Sequence, residues 1–177
     1  MDILHIRGGN RLEGSCRIQG SKNAALPILA AAILCPKRCE LLQVQRLSDV
    51  EASIRILRHL GCTVQHEDDR LCIDSTTLSG CSIPQELMAE MRSSVIFMGV
   101  LLCHCGEARL SRPGGCKLGK RPIDLHLSAL RALGAEIEEE GAELRCTARG
   151  LRRTRRTAGS GYATNFCGSP LPKCGGL

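Results

Sequence analysis

Tryptophan is absent, tyrosine occurs once and phenylalanine twice in the 177 residues, so any core must be built from aliphatic side chains. No apolar run is long enough to span a bilayer. The N-terminus Met1-Asp2-Ile3-Leu4-His5 lacks the basic region and long apolar segment of a signal peptide. The expectation is a cytoplasmic protein with no membrane partner. Neither a Walker loop nor a dinucleotide fingerprint occurs, so no adenosine cofactor is indicated and no cofactor is expected. Acidic residues are missing from 152–177, where Arg152, Arg153, Arg155, Arg156 and Lys173 supply five of the six net positive charges. Residues 1–151 are therefore almost neutral, and overall charge does not argue for a nucleic-acid partner.

Twelve cysteines suggest a disulfide or metal scaffold, but their placement argues otherwise. Cys35, Cys62, Cys72, Cys103 and Cys146 lie in or beside apolar, regular segments, where cysteine serves as a small hydrophobe. Without an export signal, free thiols in a reducing compartment are the simpler reading. Cys103-His104-Cys105 and Cys35-Pro36-Lys37-Arg38-Cys39 carry metal-ligand side chains without paired zinc-knuckle spacing. No metal is expected, although a ligand set assembled from distant positions stays open.

Taken in order, residues 3–7 and 12–18 read as strands joined by Gly8-Gly9-Asn10. Ala24–Leu34 is apolar nearly all round and reads as a buried helix, with Pro27 tolerable only in its first turn. Ser21 or Asn23 is available to cap it, unless that polar end serves a ligand. Cys39–Val44 reads as a strand. A helix from Val50 to Leu60, with Val50, Ile54, Leu57 and Leu60 at helical spacing, is stopped by Gly61. Strands at Cys62–His66 and Arg70–Ile73 flank an Asp68-Asp69 turn. Pro84 opens a long helix with Leu87, Met91, Val95, Met98 and Leu102 on one face, and Ala108–Leu110 is strand-like. Pro122 is placed to open a helix over Ile123–Leu133.

Residues 50–73 and 123–146 share one pattern: an amphipathic helix ending Leu60-Gly61 or Leu133-Gly134, a strand carrying Val64 or Ile137, an acidic turn, and a strand beginning Leu71 or Leu144. The preceding helices also correspond, Lys22, Ala25 and Ile28 matching Arg92, Val95 and Met98. A strand-helix unit of about 70 residues thus occurs roughly twice, which argues for units packing together around a shared helical core. The equivalent cations Lys22 and Arg92 can point at a common cleft. From Arg152 periodicity stops, and the Gly-, Pro-, Arg- and Cys-rich remainder reads as disordered.

Between the second unit's strand and its last helix lies Arg112-Pro113-Gly114-Gly115-Cys116-Lys117-Leu118-Gly119-Lys120-Arg121-Pro122-Ile123-Asp124. Glycines let a backbone approach a bound group, and cations beside a helix start favour an anion and a thiolate at Cys116. Such a thiol can act as nucleophile or proton donor. A solvated basic loop with an idle cysteine is the alternative. Lys22, Arg92 and Arg121 suit a phosphate or carboxylate. Asn23 and Asp124 can hydrogen-bond sugar hydroxyls or a uracil-like ring.

The segments Gly20-Ser21-Lys22-Asn23-Ala24-Ala25-Leu26-Pro27, Leu47-Ser48-Asp49-Val50, Met91-Arg92-Ser93-Ser94, Arg112-Pro113-Gly114-Gly115-Cys116 and Gly119-Lys120-Arg121-Pro122-Ile123-Asp124-Leu125-His126 resemble the UDP-N-acetylglucosamine 1-carboxyvinyltransferases, from Met1 to about Gly150. That resemblance implies an α/β fold, an enolpyruvyl-transferase-type lobe of repeated strand-helix units in an inside-out α/β barrel, incomplete here. It implies transfer of the enolpyruvyl group of phosphoenolpyruvate to the 3′-hydroxyl of UDP-N-acetylglucosamine with release of phosphate, the first committed step of peptidoglycan synthesis. Cys116 would protonate the methylene carbon of phosphoenolpyruvate and be the target of fosfomycin. Lys22 would hold the phosphate, Asn23 would help place the substrates, and Arg92 would contact the nucleotide-sugar side. Arg121, Pro122, Ile123, Asp124 and Leu125 would line the UDP-sugar site, Arg121 also lying near phosphate.

The family chain is more than twice as long. The resemblance therefore implies three parts: residues 1–20 as strands that would pack on an absent second lobe, 21–151 as two repeats of the first lobe, and 152–177 as an unrelated tail. An abrupt change at Arg152 suggests truncation or a shifted reading frame, with little or no turnover by this chain alone. No obligate protein partner is evident. The rival readings are a nucleotide- or RNA-binding module using the basic tail and a cysteine-rich metal module.

Overall fold

The computed structural model describes residues 3–9, 11, 13–16, 18, 20–111, 123–141 and 143–148. Its first helix, α1 (Lys22–Ala31), continues as a 3-10 turn over Ala32–Leu34. After strand β1 (Cys39–Leu41) comes helix α2 (Ser48–His59), then β2 (Thr63–Glu67) and β3 (Arg70–Asp74). Strand β4 (Ser82–Ile83) opens a second unit. It continues through α3 (Gln85–Glu90), a 3-10 turn at Arg92–Val95, α4 (Ile96–Cys105) and β5 (Glu107–Ser111). Helix α5 (Asp124–Ala132) and strands β6 (Glu136–Glu140) and β7 (Glu143–Thr147) complete it. The fold is α/β, with alternating strand-helix units and no closed barrel among the described residues. No described helix is long and apolar enough to cross a membrane.

The repeat read from the sequence is present in three dimensions. One sheet has the order β1-β3-β2 and the other β4-β5-β7-β6, so β1, β3 and β2 correspond to β5, β7 and β6. Leu41 faces Leu71 in the first sheet as Leu110 faces Leu144 in the second. Helices α2 and α5 end in the same cap. Cys62 N–H reaches back to Leu57 O at 2.9 Å, and Ala135 N–H to Leu130 O at 3.0 Å. Between each pair stands a glycine, Gly61 or Gly134, both at φ +98°, a conformation that L side chains resist.

The core is aliphatic, as the composition requires. Val50, Ile54, Leu57 and Leu60 are buried together with Leu71, Ile73, Leu101 and Leu144, and Phe97 is the aromatic at its centre. Helix α2 also complements its own dipole, with Asp49 and Glu51 in the first turn and Arg58 and His59 in the last.

Four sequence expectations need correction. No strand forms among the described residues from 3 to 18, and Ile3, Leu4, Ile6 and Ile18 are exposed. The Gly-Gly turn chemistry is present, but a two-stranded hairpin with no face to bury is marginal. Strand β1 stops at Leu41 rather than Val44; Val44 N–H instead bonds Asp69 O at 2.8 Å.

The first helix starts two residues early and is buried on one side only. Leu26, Leu29 and Ala30 face the core, while Ala24, Pro27, Ile28, Ala31 and Leu34 form an exposed stripe. Pro27 therefore sits beyond the first turn, at the cost of one intrahelical hydrogen bond.

The long helix expected after Pro84 breaks at Met91, which is extended at φ −136°, ψ 126°. Buried Ser94 accounts for the break, because its hydroxyl donates to Met88 O at 3.1 Å in place of the next helical N–H. Met91, Val95, Met98 and Leu102 are nevertheless all buried. The apolar face survives the change in helix type.

Candidate functional site

Lys22 and Asn23 are the first two residues of α1, and both are exposed. Ser21 lies in the N-cap position at φ −80°, ψ 124° and makes no side-chain cap hydrogen bond. Its carbonyl instead accepts from Ala24 N–H at 3.2 Å and Ala25 N–H at 3.0 Å. Capping by Ser21, the bland reading of this polar end, is thus not what the structure has. The first N–H groups of a helix have no partner within it, so this end presents backbone donors to solvent, an arrangement suited to an anion.

Across from it, Asp49 occupies the first turn of α2, and its Oδ2 lies 2.8 Å from Lys22 Nζ. Asp49 belongs to the Leu47-Ser48-Asp49-Val50 segment, whose pattern does not reveal this partner. An acidic residue early in a helix was visible; which cation it meets was not. Asp49 O in turn accepts from the Ser53 hydroxyl at 3.0 Å, and that hydroxyl stands 3.3 Å from Met91 Sδ. Two residues further on, Arg55 Nε donates to Glu90 Oε2 at 2.7 Å. Helix α2 therefore touches both the start of α1 and the break that precedes Arg92. It fixes the two equivalent helix beginnings relative to each other.

Arg92 opens the 3-10 turn that leads into α4, as Lys22 opens α1. Ile123 takes the N-cap position of α5 and is buried, Asp124 is the first residue of that helix, and Leu125 is 72% exposed. Cys116, Arg121 and Pro122 lie outside the described residues.

Of the described cysteines, Cys62 and Cys146 are buried, Cys16, Cys103 and Cys105 are exposed, and Cys35, Cys39, Cys72 and Cys81 are half-buried. Burial pushes the thiols of Cys62 and Cys146 up to about 11, with the Asp74 charge adding to the effect at Cys62. Both act as core hydrophobes, as their apolar surroundings suggested. Cys103 does not: it is exposed, and so is Cys105. Among the described residues no group of three or more His, Cys, Asp and Glu side chains is placed to hold a metal ion.

A family model described as EPSP synthase (3-phosphoshikimate 1-carboxyvinyltransferase) matches residues 6–160, ten residues beyond the point where the sequence resemblance ended. A UDP-N-acetylglucosamine 1-carboxyvinyltransferase of Cellvibrio japonicus (strain Ueda107) is 45% identical over 151 residues, covering 85% of this chain and 36% of that protein. The protein of the same name from Methylacidiphilum infernorum (isolate V4) is 46% identical over 138 residues, covering 78% and 32%. That from a strain of Thermus thermophilus is 43% identical over 157 residues, covering 89% and 36%. The crystal structure of the enolpyruvyl transferase NikO from Streptomyces tendae superposes with a TM-score of 0.68 at 22% identity, covering 82% of this chain and 32% of that one. That likeness is one of fold. The chain spans about a third of the length of the curated relatives it matches.

Proposed function

This chain belongs to the EPSP synthase (3-phosphoshikimate 1-carboxyvinyltransferase) family, and on that basis we propose that it carries the N-terminal part of a UDP-N-acetylglucosamine 1-carboxyvinyltransferase. The reaction is transfer of the enolpyruvyl group of phosphoenolpyruvate to the sugar 3′-hydroxyl, with release of phosphate. The observation that carries this reading is identity above 40% to enzymes of that name over most of the chain. Support from geometry comes from Lys22, a half-exposed cation at an uncapped helix start.

In this reading Lys22 holds the phosphate of phosphoenolpyruvate and Asn23 helps to place both substrates. Cys116 gives its proton to the methylene carbon as the sugar 3′-oxygen, its own proton passing to a general base, bonds to the adjacent carbon. Loss of a proton from that methyl group then expels phosphate and restores the double bond. A thiol among Arg112, Lys117, Lys120 and Arg121 suits this work, since nearby cations ease its ionisation and draw in the anionic donor. Arg92 faces the nucleotide-sugar side, and Arg121 to Leu125 line the UDP-sugar site. The chain spans about a third of the length of these relatives, and the complete reaction is proposed for a protein of their full length.

Fosfomycin tests the assignment. Peptide mapping after brief exposure is expected to find alkylation at Cys116 ahead of Cys16, Cys103 and Cys105, and faster with UDP-N-acetylglucosamine present. Uniform alkylation of the exposed thiols, unaffected by the sugar nucleotide, would overturn the proposal.

A further inference from the structure

Lys22 is supported from two directions. On one side Asp49, in the first turn of α2, meets its ammonium group at 2.8 Å. On the other, the chain just before α1 lies against the segment that joins β1 to α2. A Cβ added at Gly20 would stand 2.6 Å from Gln43 O, so only glycine allows that approach. Gln43 itself has φ 60°, a left-handed backbone that a non-glycine residue keeps only where its surroundings hold it there.

The β2–β3 hairpin does the holding. Val44 N–H donates to Asp69 O at 2.8 Å, and the Arg46 guanidinium donates to His66 O at 2.6 Å. The His66 side chain, only 4% exposed, completes the set. Its Nε2 lies 3.1 Å from Val44 O, and because a carbonyl only accepts, Nε2 is the donor. Its Nδ1 lies 3.4 Å from Glu51 Oε1. Both of those atoms are buried, and neither has a hydrogen-bond partner among the described residues, so ring and carboxylate are left facing each other. Glu51 shares the first turn of α2 with Asp49. One imidazole therefore touches both supports of Lys22, the residue after Gln43 and the helical turn that carries Asp49.

The fold alone does not ask for histidine at this place. His66 stands opposite Leu71 as Glu139 stands opposite Leu144 in the second unit. Glu139 pairs there with Arg131 of α5.

We propose that His66 is a positioning residue for Lys22, fixing its ammonium group by locking the Gln43–Arg46 segment to the start of α2. Its bearing on the reaction rests on the role proposed for Lys22 at the phosphate of phosphoenolpyruvate. A cation that is to hold a substrate in register must itself be held.

Acetylation of the full chain with a trace of acetic anhydride, followed by peptide mapping, gives the rate at Lys22 relative to exposed Lys37. His66→Leu removes the donor to Val44 O and is expected to raise that ratio several-fold, as Lys22 leaves Asp49. In His66→Gln the amide nitrogen reaches about as far as Nε2, and the ratio is expected to return towards the parent value. Gly20→Ala disturbs the same contact from the exposed end without touching the core, and is expected to raise the ratio as well. An unchanged ratio in His66→Leu or in Gly20→Ala, or a His66→Gln chain no closer to the parent than His66→Leu, would overturn the proposal. Phosphoenolpyruvate separates the two claims. It is expected to protect Lys22 of the parent, with several-fold more needed for half-protection in His66→Leu. Failure to protect the parent, with the ratio still responding to His66→Leu, would overturn the phosphate role of Lys22 and uphold its placement by His66.

Discussion

Lys22 Nζ and Asp49 Oδ2 stand 2.8 Å apart, joining the first turns of α1 and α2. Both side chains are partly exposed, so water screens the pair and its contribution to stability is modest. Asp49→Asn is expected to lower unfolding free energy by about 1 kcal/mol or less, helix-dipole contribution included. Urea titrations at low and high salt check this: the difference from the parent should shrink as salt rises.

The repeat gives a paired prediction. Gly61 and Gly134 share φ +98°, but their surroundings differ. A Cβ at Gly61 would lie 2.9 Å from Thr77 O and 3.1 Å from Ser79 Oγ, whereas no described residue lies within 4 Å of one at Gly134. Gly134→Ala should cost about 1–2 kcal/mol for conformation alone, and Gly61→Ala distinctly more. Equal thermal shifts for the two variants would contradict the packing described for Gly61.

Phe97 is fully buried and is the one aromatic side chain in the described core. Truncation of Phe97 to Ala removes a large volume from a close-packed interior and is expected to destabilise by about 3–5 kcal/mol. Chemical denaturation measures it.

Glu107 is held below the usual carboxylate range by a hydrogen bond from Arg109 first and by Arg145 second, at 2.8 and 3.2 Å. A carboxyl depressed in the folded state stabilises above its unfolded value, and that contribution is lost as pH falls through the folded value. Stability should therefore decline as pH drops below the ordinary glutamate range. Glu107→Gln should flatten that decline by lowering stability at neutral pH, the two curves converging in acid; an acid decline as steep as the parent's would count against the ion pairs.

Ile28 is 49% exposed in the apolar stripe with Ala24, Pro27, Ala31 and Leu34. Contiguous apolar surface of this kind promotes association. Ile28→Lys is expected to leave unfolding within about 0.5 kcal/mol of the parent while lowering concentration-dependent self-association, read by light scattering.

Periodicity, glycine stops and the internal repeat were enough to locate α2, the β2–β3 hairpin, β5, α5 and the β6–β7 pair, because each depends on neighbours a few residues away. Val50, Ile54, Leu57 and Leu60 fall on one face whatever surrounds them. The break at Met91 was invisible for the same reason. Leu87 to Leu102 stays in phase across it, and only the Ser94 hydroxyl on Met88 O reveals why the helix stops. The cation Lys22 at the start of α1 was visible in the sequence; its pairing with Asp49 was not, since it depends on how α1 crosses α2.

By itself the sequence determined the aliphatic character of the core, the two-unit organisation and the residue types from which a site for anions could be made. Tertiary structure alone decided which side of α1 is covered, that residues 3–9 pair with no strand, and that α2 ties Lys22 to the turn before Arg92. Hydrophobic pattern and turn chemistry act over a few residues and can be read along a chain. Which face finds a partner depends on surfaces supplied by distant segments, and that is settled only when they pack.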